Sequence, residues 1–267
     1  MPHQPAPPQI VLPPITDPTV HATLDRLAHR YVRAGGLGMD ILAYVGGSAE
    51  TLLARLPGPV RDRLDDTVRA ALHGALAAAG TVAPPRGGFA DGVNRAVVSA
   101  IGAAGGAVGI AGAMAELPVT ITVLLRTILG IAAEHGLDPA DPATRAEALR
   151  VFASAGPMAD DDGTDLGLLA ARLTVTGHSL QALIARIAPR LAAVIGQKLA
   201  AQSAPVLGAV AGASINYSFT RYYQQMARVH FGLLRLADET GLPREVLIEA
   251  LQSRIRALEA RKRARRA

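Results

Sequence analysis

The sequence predicts an all-α protein, a single helical domain of about 8–10 helices built around two central Gly/Ala-rich helices. Three observations predict it. Apolar residues recur at three- and four-residue spacing along most of the chain, while the one alternating β-branched segment, Leu173–Thr176, is short. Half of the 267 residues are apolar, yet only 3% are aromatic and none is Trp, so the core must be closely packed backbone carrying Ala, Leu, Val and Ile. Residues 96–115 and 199–220 are uncharged and rich in Gly and Ala.

The elements follow in order. Pro2, Pro5, Pro7, Pro8, Pro13, Pro14 and Pro18 make residues 1–18 an extended arm, and no basic cluster precedes an apolar run, so no signal peptide is read. The helical domain is expected over 19–258 and a basic tail over 259–267. Within the domain, Thr19–Arg33 and Asp40–Leu56 read as helices separated at Gly35–Gly36. Pro57-Gly58-Pro59 stops the second, and Val60–Ala79 reads as a third, with Leu64, Val68, Leu72 and Leu76 on one face. Gly80–Gly88 reads as a loop.

Val93–Ala115 and Pro118–His135 form a long apolar span, interrupted at Glu116-Leu117-Pro118 and closed by Gly136 as a left-handed cap. Asp141-Pro142 opens a helix over 142–154, and 156–164 is an acidic loop. Further helices are expected over 165–187, 190–203, 205–239 and 243–262, with Gly241 and Pro243 dividing the last two. A shift of 105 residues aligns Ile131–Leu137 with Leu236–Leu242, a weak internal similarity between two helix ends.

The glycine stretches carry an energetic puzzle. Five Gly among the twenty residues from 96 to 115 cost about 5 kcal/mol in an ordinary helix, at about 1 kcal/mol each. Gly102 and Gly106, Gly105 and Gly109, and Gly208 and Gly212 recur at four-residue spacing, which places small residues on one face where two backbones can approach. Twenty residues also reach about 30 Å, enough to span a bilayer core. Only five of them are strongly apolar, however, which favours a buried hairpin over a membrane span.

Composition closes several functional classes. With no Cys, there is no disulfide scaffold, iron–sulfur cluster or thiol nucleophile. The net charge of +5 is matched by Arg261, Lys262, Arg263, Arg265 and Arg266 alone, leaving a body near neutrality. That distribution argues against nucleic acid as a partner and leaves the tail to meet anionic lipid or to act as a solubilising helix end.

No catalytic, cofactor-binding or metal-ligating set emerges. Thr176-Gly177-His178-Ser179-Leu180 is similar to the nucleophile elbow of lipases and esterases, but Gln181 stands where that strained turn needs a small residue. His230 is the only histidine downstream, with no Asp or Glu between it and Ser179, so a Ser179-dependent hydrolase is a remote alternative. The acidic run Asp160–Asp165 fails the EF-hand register, because Met158 and Leu169 fall where carboxylates are required. No pair of histidines has zincin spacing. The expectation leans away from an enzyme.

Two segments carry a family resemblance. Ala115-Glu116-Leu117-Pro118, running into Leu125-Arg126-Thr127-Ile128 and Ala133–Pro139, resembles the EcsC protein family, as does Pro205–Tyr217 followed by Tyr222, Ala227 and Phe231. An acidic residue before Leu-Pro, an Arg in the next helix and a Gly-rich segment ending in Asn-Tyr occur in that order. The resemblance spans roughly residues 40–250. It implies a helical bacterial protein from a family named for a gene beside an ABC transporter, and it supplies no reaction.

The candidate site is a cluster of polar residues inside apolar helices: Glu116, Arg126, Asn216, Tyr217 and Arg221. A buried charge requires a partner, and the expectation is that Glu116 pairs with Arg126 or Arg221. Such a cluster is either a register-setting ion pair or a place where the two arginines hold a headgroup or small anion. The expected function is a non-enzymatic protein that binds lipid or docks at the membrane surface, accessory to a transport system and located on the cytoplasmic side of the inner membrane. The alternative is a soluble adaptor with no lipid ligand. Candidate partners are lipid, an anionic membrane surface and a membrane transport complex.

Overall fold

The computed structural model describes residues 14–45, 56–79, 99–100, 110–152, 180–202 and 208–265. The elements among them are α1 (Pro18–Val45), α2 (Gly58–Ala79), α3 (Ile110–Glu134), α4 (Pro142–Phe152), α5 (Leu180–Gln202), α6 (Gly208–Thr240) and α7 (Arg244–Ala264). The protein is all-helical, as its periodicity predicts, and the described residues contain no strand. Gly102, Gly105, Gly106, Gly109, the β-branched segment 173–176, the acidic run 160–165 and Ser179 lie outside the described residues.

Helix ends follow local chemistry. Asp17 caps α1, its Oδ1 accepting the backbone N–H of Thr19 at 2.7 Å. Asp141 caps α4 in the same way, accepting from the Ala143 N–H at 3.1 Å. Gly136 has φ +86° and ends α3 with a paired motif: its N–H donates to the Ala133 carbonyl while the Leu137 N–H donates to Ala132. Gly241, at φ +65°, ends α6 with a single bond from its N–H to the Ala237 carbonyl.

Three expected interruptions are absent, because the helices run through them. α1 continues across Gly35–Gly36, α3 across Pro118 and α5 across Pro189. Proline removes one amide donor and crowds the carbonyl four residues back. Both prolines lie on exposed faces, where the stranded carbonyl can turn toward solvent. Around them Leu117, Ile121 and Leu125 of α3, and Ala188 and Leu191 of α5, are buried. Burial at about 25 cal/mol per Å² outweighs the local penalty.

α6 is the organising element. Its 33 residues reach about 50 Å and pack against α1, α3, α4, α5 and α7. The few aromatics concentrate here: Tyr223 meets Phe152 of α4 with ring centroids 5.3 Å apart, and meets Tyr222 edge-on at 5.3 Å. α3 packs on α2 and α6, α5 on α2, and α7 on α1. In α2, Leu64, Val68, Leu72 and Leu76 all face the core.

Gly208 and Gly212 fall in the first turns of α6. Later in the same helix the Leu27 side chain of α1 packs onto Gly232, where an added Cβ would meet Leu27 Cδ2 at 3.0 Å. One helix among the described residues, Met114–Glu134 within α3, is long and apolar enough to cross a membrane. Within the protein 61% of its apolar window is buried.

Candidate functional site

Glu116, in the second turn of α3, points inward and is 7% exposed. Its partner is Lys198 of α5, whose Nζ donates to Glu116 Oε1 at 2.7 Å and which is itself 2% exposed. Asn216 of α6, fully buried, donates from Nδ2 to the same oxygen at 3.5 Å, the outer limit of a hydrogen bond. Three helices are thus joined at one carboxylate. Burial holds the Lys198 ammonium below the usual lysine range, while the charge and hydrogen bond of Glu116 pull it back up. The second carboxylate oxygen, Oε2, is buried without a hydrogen-bond partner, as is the Thr120 hydroxyl one turn further along α3.

This corrects the expected pairing. Arg126 lies ten residues beyond Glu116 on the same helix, about 15 Å along its axis, out of reach of an ion pair. Arg221 lies five residues beyond Asn216, which turns it about 140° around α6 and away from the carboxylate. Tyr217, next to Asn216, is 40% exposed. Of the five predicted residues, the structure joins Glu116 and Asn216, and the cation between them is Lys198.

Arg221 instead belongs to a cleft of about 530 Å³ between α1 and α6, which it shares with Arg26, Arg30 and Arg33. A second hollow of about 470 Å³ continues along the same two helices past Arg228 and Arg235, and Arg26 and Arg30 line both.

A third cluster joins α6 to α4. His230 Nε2 lies 2.8 Å from Glu147 Oε2, and Arg150 bonds the other oxygen of that carboxylate. Burial works against the Glu147 charge, but His230, Arg150 and Arg244 together hold its carboxyl below the usual range. His230 is the histidine that a hydrolase at Ser179 would have required. Among the described residues no three His, Asp or Glu side chains gather as a metal site.

The segment that carries α3, α4, α5 and most of α6 can now be compared with known proteins. Residues 91–236, more than half of the chain, match the EcsC protein family. The chain belongs to the EcsC protein family. No curated protein and no solved structure matches it. The EcsC segment contains all three residues of the buried cluster, Glu116, Lys198 and Asn216. It contains the α6 wall of the arginine cleft but not the α1 wall, and it stops before α7. Family membership supplies a fold and no reaction, so the chemistry rests on the side chains themselves.

Proposed function

We propose that this EcsC protein is non-enzymatic and docks at an anionic membrane surface, on the cytoplasmic side and accessory to a transport system. One observation carries the reading: α7 ends in Arg261, Lys262 and Arg263, with Arg265 immediately after, and these residues have no carboxylate within 4 Å among the described residues. Arg261, Arg263 and Arg265 are exposed and Lys262 is half-buried. Cations at a helix C-terminus complement the helix dipole, which accounts for one or two of them. Four within five residues exceed that need and suit a surface of anionic headgroups, at about 1 kcal/mol per basic residue.

Flotation of the full chain with phosphatidylglycerol vesicles tests this, with phosphatidylcholine vesicles as reference. Binding to the anionic vesicles alone is expected, falling steeply with salt. Neutralising the four basic residues together to Gln is expected to weaken it by about 4 kcal/mol, or roughly a thousandfold. Absence of flotation on either membrane counts against docking. A second reading, a soluble adaptor with no lipid ligand, is favoured by α3, since 61% of its apolar window is already buried in the bundle without lipid. Lipid-free protein bound to one defined protein partner is the result that selects it.

A further inference from the structure

The facing surfaces of α1 and α6 carry more positive charge than the fold can use. Arg26, Arg30 and Arg33 recur on α1 at spacings of four and three residues, and so share one face. Across from them α6 presents Arg221, Gln225 and Arg228 at the same spacing. The helices run antiparallel here, since Arg30 meets Gln225 while the earlier Leu27 meets Gly232. The Leu27 side chain packs onto α6 at Gly232, and the Arg30–Gln225 hydrogen bond holds the two stripes face to face.

The acids nearby are already engaged, including Asp25, which lines the cleft itself. Asp25 accepts from Arg254 Nε at 2.8 Å, Glu134 lies 3.6 Å from Arg228, and Glu239 accepts from Arg235 at 2.6 Å. Among the described residues, Arg26, Arg30, Arg33 and Arg221 have no carboxylate within 4 Å. Arg26 bonds the Thr23 hydroxyl, and Arg30 donates from Nη1 to Gln225 Oε1 at 2.9 Å, which orients its guanidinium without neutralising it. Burial and the neighbouring charge of Arg228 both disfavour the protonated form of Arg30.

Like charges one turn apart on a helix are destabilising, and two facing stripes add to the repulsion. A bound anion removes that cost. Guanidinium forks match the paired oxygens of a phosphate better than those of a single-point acceptor. The hollow is of small-molecule size, within the usual range of about 300–1,000 Å³, and unlike the open face a nucleic-acid polymer needs.

We infer that the α1–α6 cleft is a binding site for a small phosphate-bearing anion, held between Arg30 and Arg221 with Arg26 and Arg33 at its mouth. The ligand is a phosphomonoester or diphosphate group, whether free in solution or on a lipid headgroup. Gln225 positions Arg30. The site is separate from the basic end of α7 and does not depend on it.

Calorimetric titration of the full chain with sodium pyrophosphate, at constant ionic strength, tests the site. Saturable binding is expected, weakened at least about tenfold in Arg30→Gln and in Arg221→Gln. Arg30→Lys keeps the charge but loses the fork, and is expected to fall between Arg30→Gln and wild type. Circular dichroism of each variant shows that the fold is intact. Neutralising the four basic residues at the end of α7 is expected to leave the titration unchanged while abolishing flotation, which separates this site from membrane docking.

Vesicles containing phosphatidic acid distinguish the two sources. Competition between pyrophosphate and those vesicles assigns the site to a headgroup, and pyrophosphate binding without competition assigns it to a soluble phosphate compound. Either upholds the inference. No saturable binding of pyrophosphate, or binding indifferent to Arg30→Gln and Arg221→Gln, overturns it.

Discussion

Glu116–Lys198 and the α1–α6 arginines are two answers to the same problem, a charge carried on an apolar helix. The first pair is removed from water and closed on itself, with Asn216 as a third member. In the second, four arginines gather in an open cleft whose lining acid, Asp25, is bonded to Arg254. A buried charge without a partner is untenable, so the first region must pair its charges within the folded chain. Arg26 and Arg33 are exposed and Arg30 and Arg221 only half-buried, so water still screens them and the second region can remain incomplete until a ligand arrives. Partner geometry, rather than the presence of charge, separates a structural lock from a binding site.

The largest test of that contrast lies in the buried pair. Lys198→Met leaves the Glu116 charge buried alone, and urea denaturation is expected to show a loss of about 3–5 kcal/mol. Adding Glu116→Leu removes the orphaned carboxylate and is expected to restore most of the loss. If the double variant is no more stable than the single one, Glu116 holds something besides Lys198.

The His230–Glu147 pair is intermediate in burial and is expected to be intermediate in effect. Glu147→Gln loses a charge-assisted bond worth about 1.5–3 kcal/mol near neutral pH. The sign with pH follows from the lowered carboxyl. The folded state binds this proton less tightly than the unfolded chain, so the contribution is complete above the ordinary value near 4.5 and is lost as pH falls below it. Acid titration of stability is therefore expected to be steeper in wild type than in Glu147→Gln. Equal slopes contradict the assignment.

The fold was legible in the sequence where local chemistry decides it. Gly136 and Gly241 were readable as helix ends because a left-handed residue favours glycine, and Gly136→Ala is expected to cost about 1–2 kcal/mol by thermal unfolding. Pro118 and Pro189 misled for the opposite reason: their local penalties are small beside the burial of the residues around them. Two of the three members of the buried cluster, Glu116 and Asn216, were among the predicted residues, and the third, Lys198, left a signal. Glu116 is the sole charged residue between Arg95 and Arg126, and Lys198 is the sole charged residue between Arg190 and Arg221. Two isolated opposite charges in two uncharged stretches name each other as partners. Flanking arginines drew the pairing away, although helix rise puts Arg126 out of reach of the carboxylate and helix rotation turns Arg221 from it. The arginine cleft had no such signal, because its two walls are about 190 residues apart in sequence and only packing joins them.

The cleft is expected to give the smallest effect on stability. Arg30→Gln changes the free energy of unfolding by less than about 0.5 kcal/mol in phosphate-free buffer, since nothing buried depends on that charge. A loss of several kcal/mol makes Arg30 part of the framework and removes the contrast with Lys198.

Thermal unfolding of wild type, Arg30→Gln and Lys198→Met, each with and without saturating pyrophosphate, sets the two regions against each other most directly. A ligand that binds only the folded chain raises the midpoint. Arg30→Gln is predicted to start near wild type and to lose the pyrophosphate gain, whereas Lys198→Met starts well below and keeps it. An equal gain in all three proteins, or a gain lost in Lys198→Met and kept in Arg30→Gln, contradicts the division between a closed ion pair that holds the helices and an open cleft that binds phosphate.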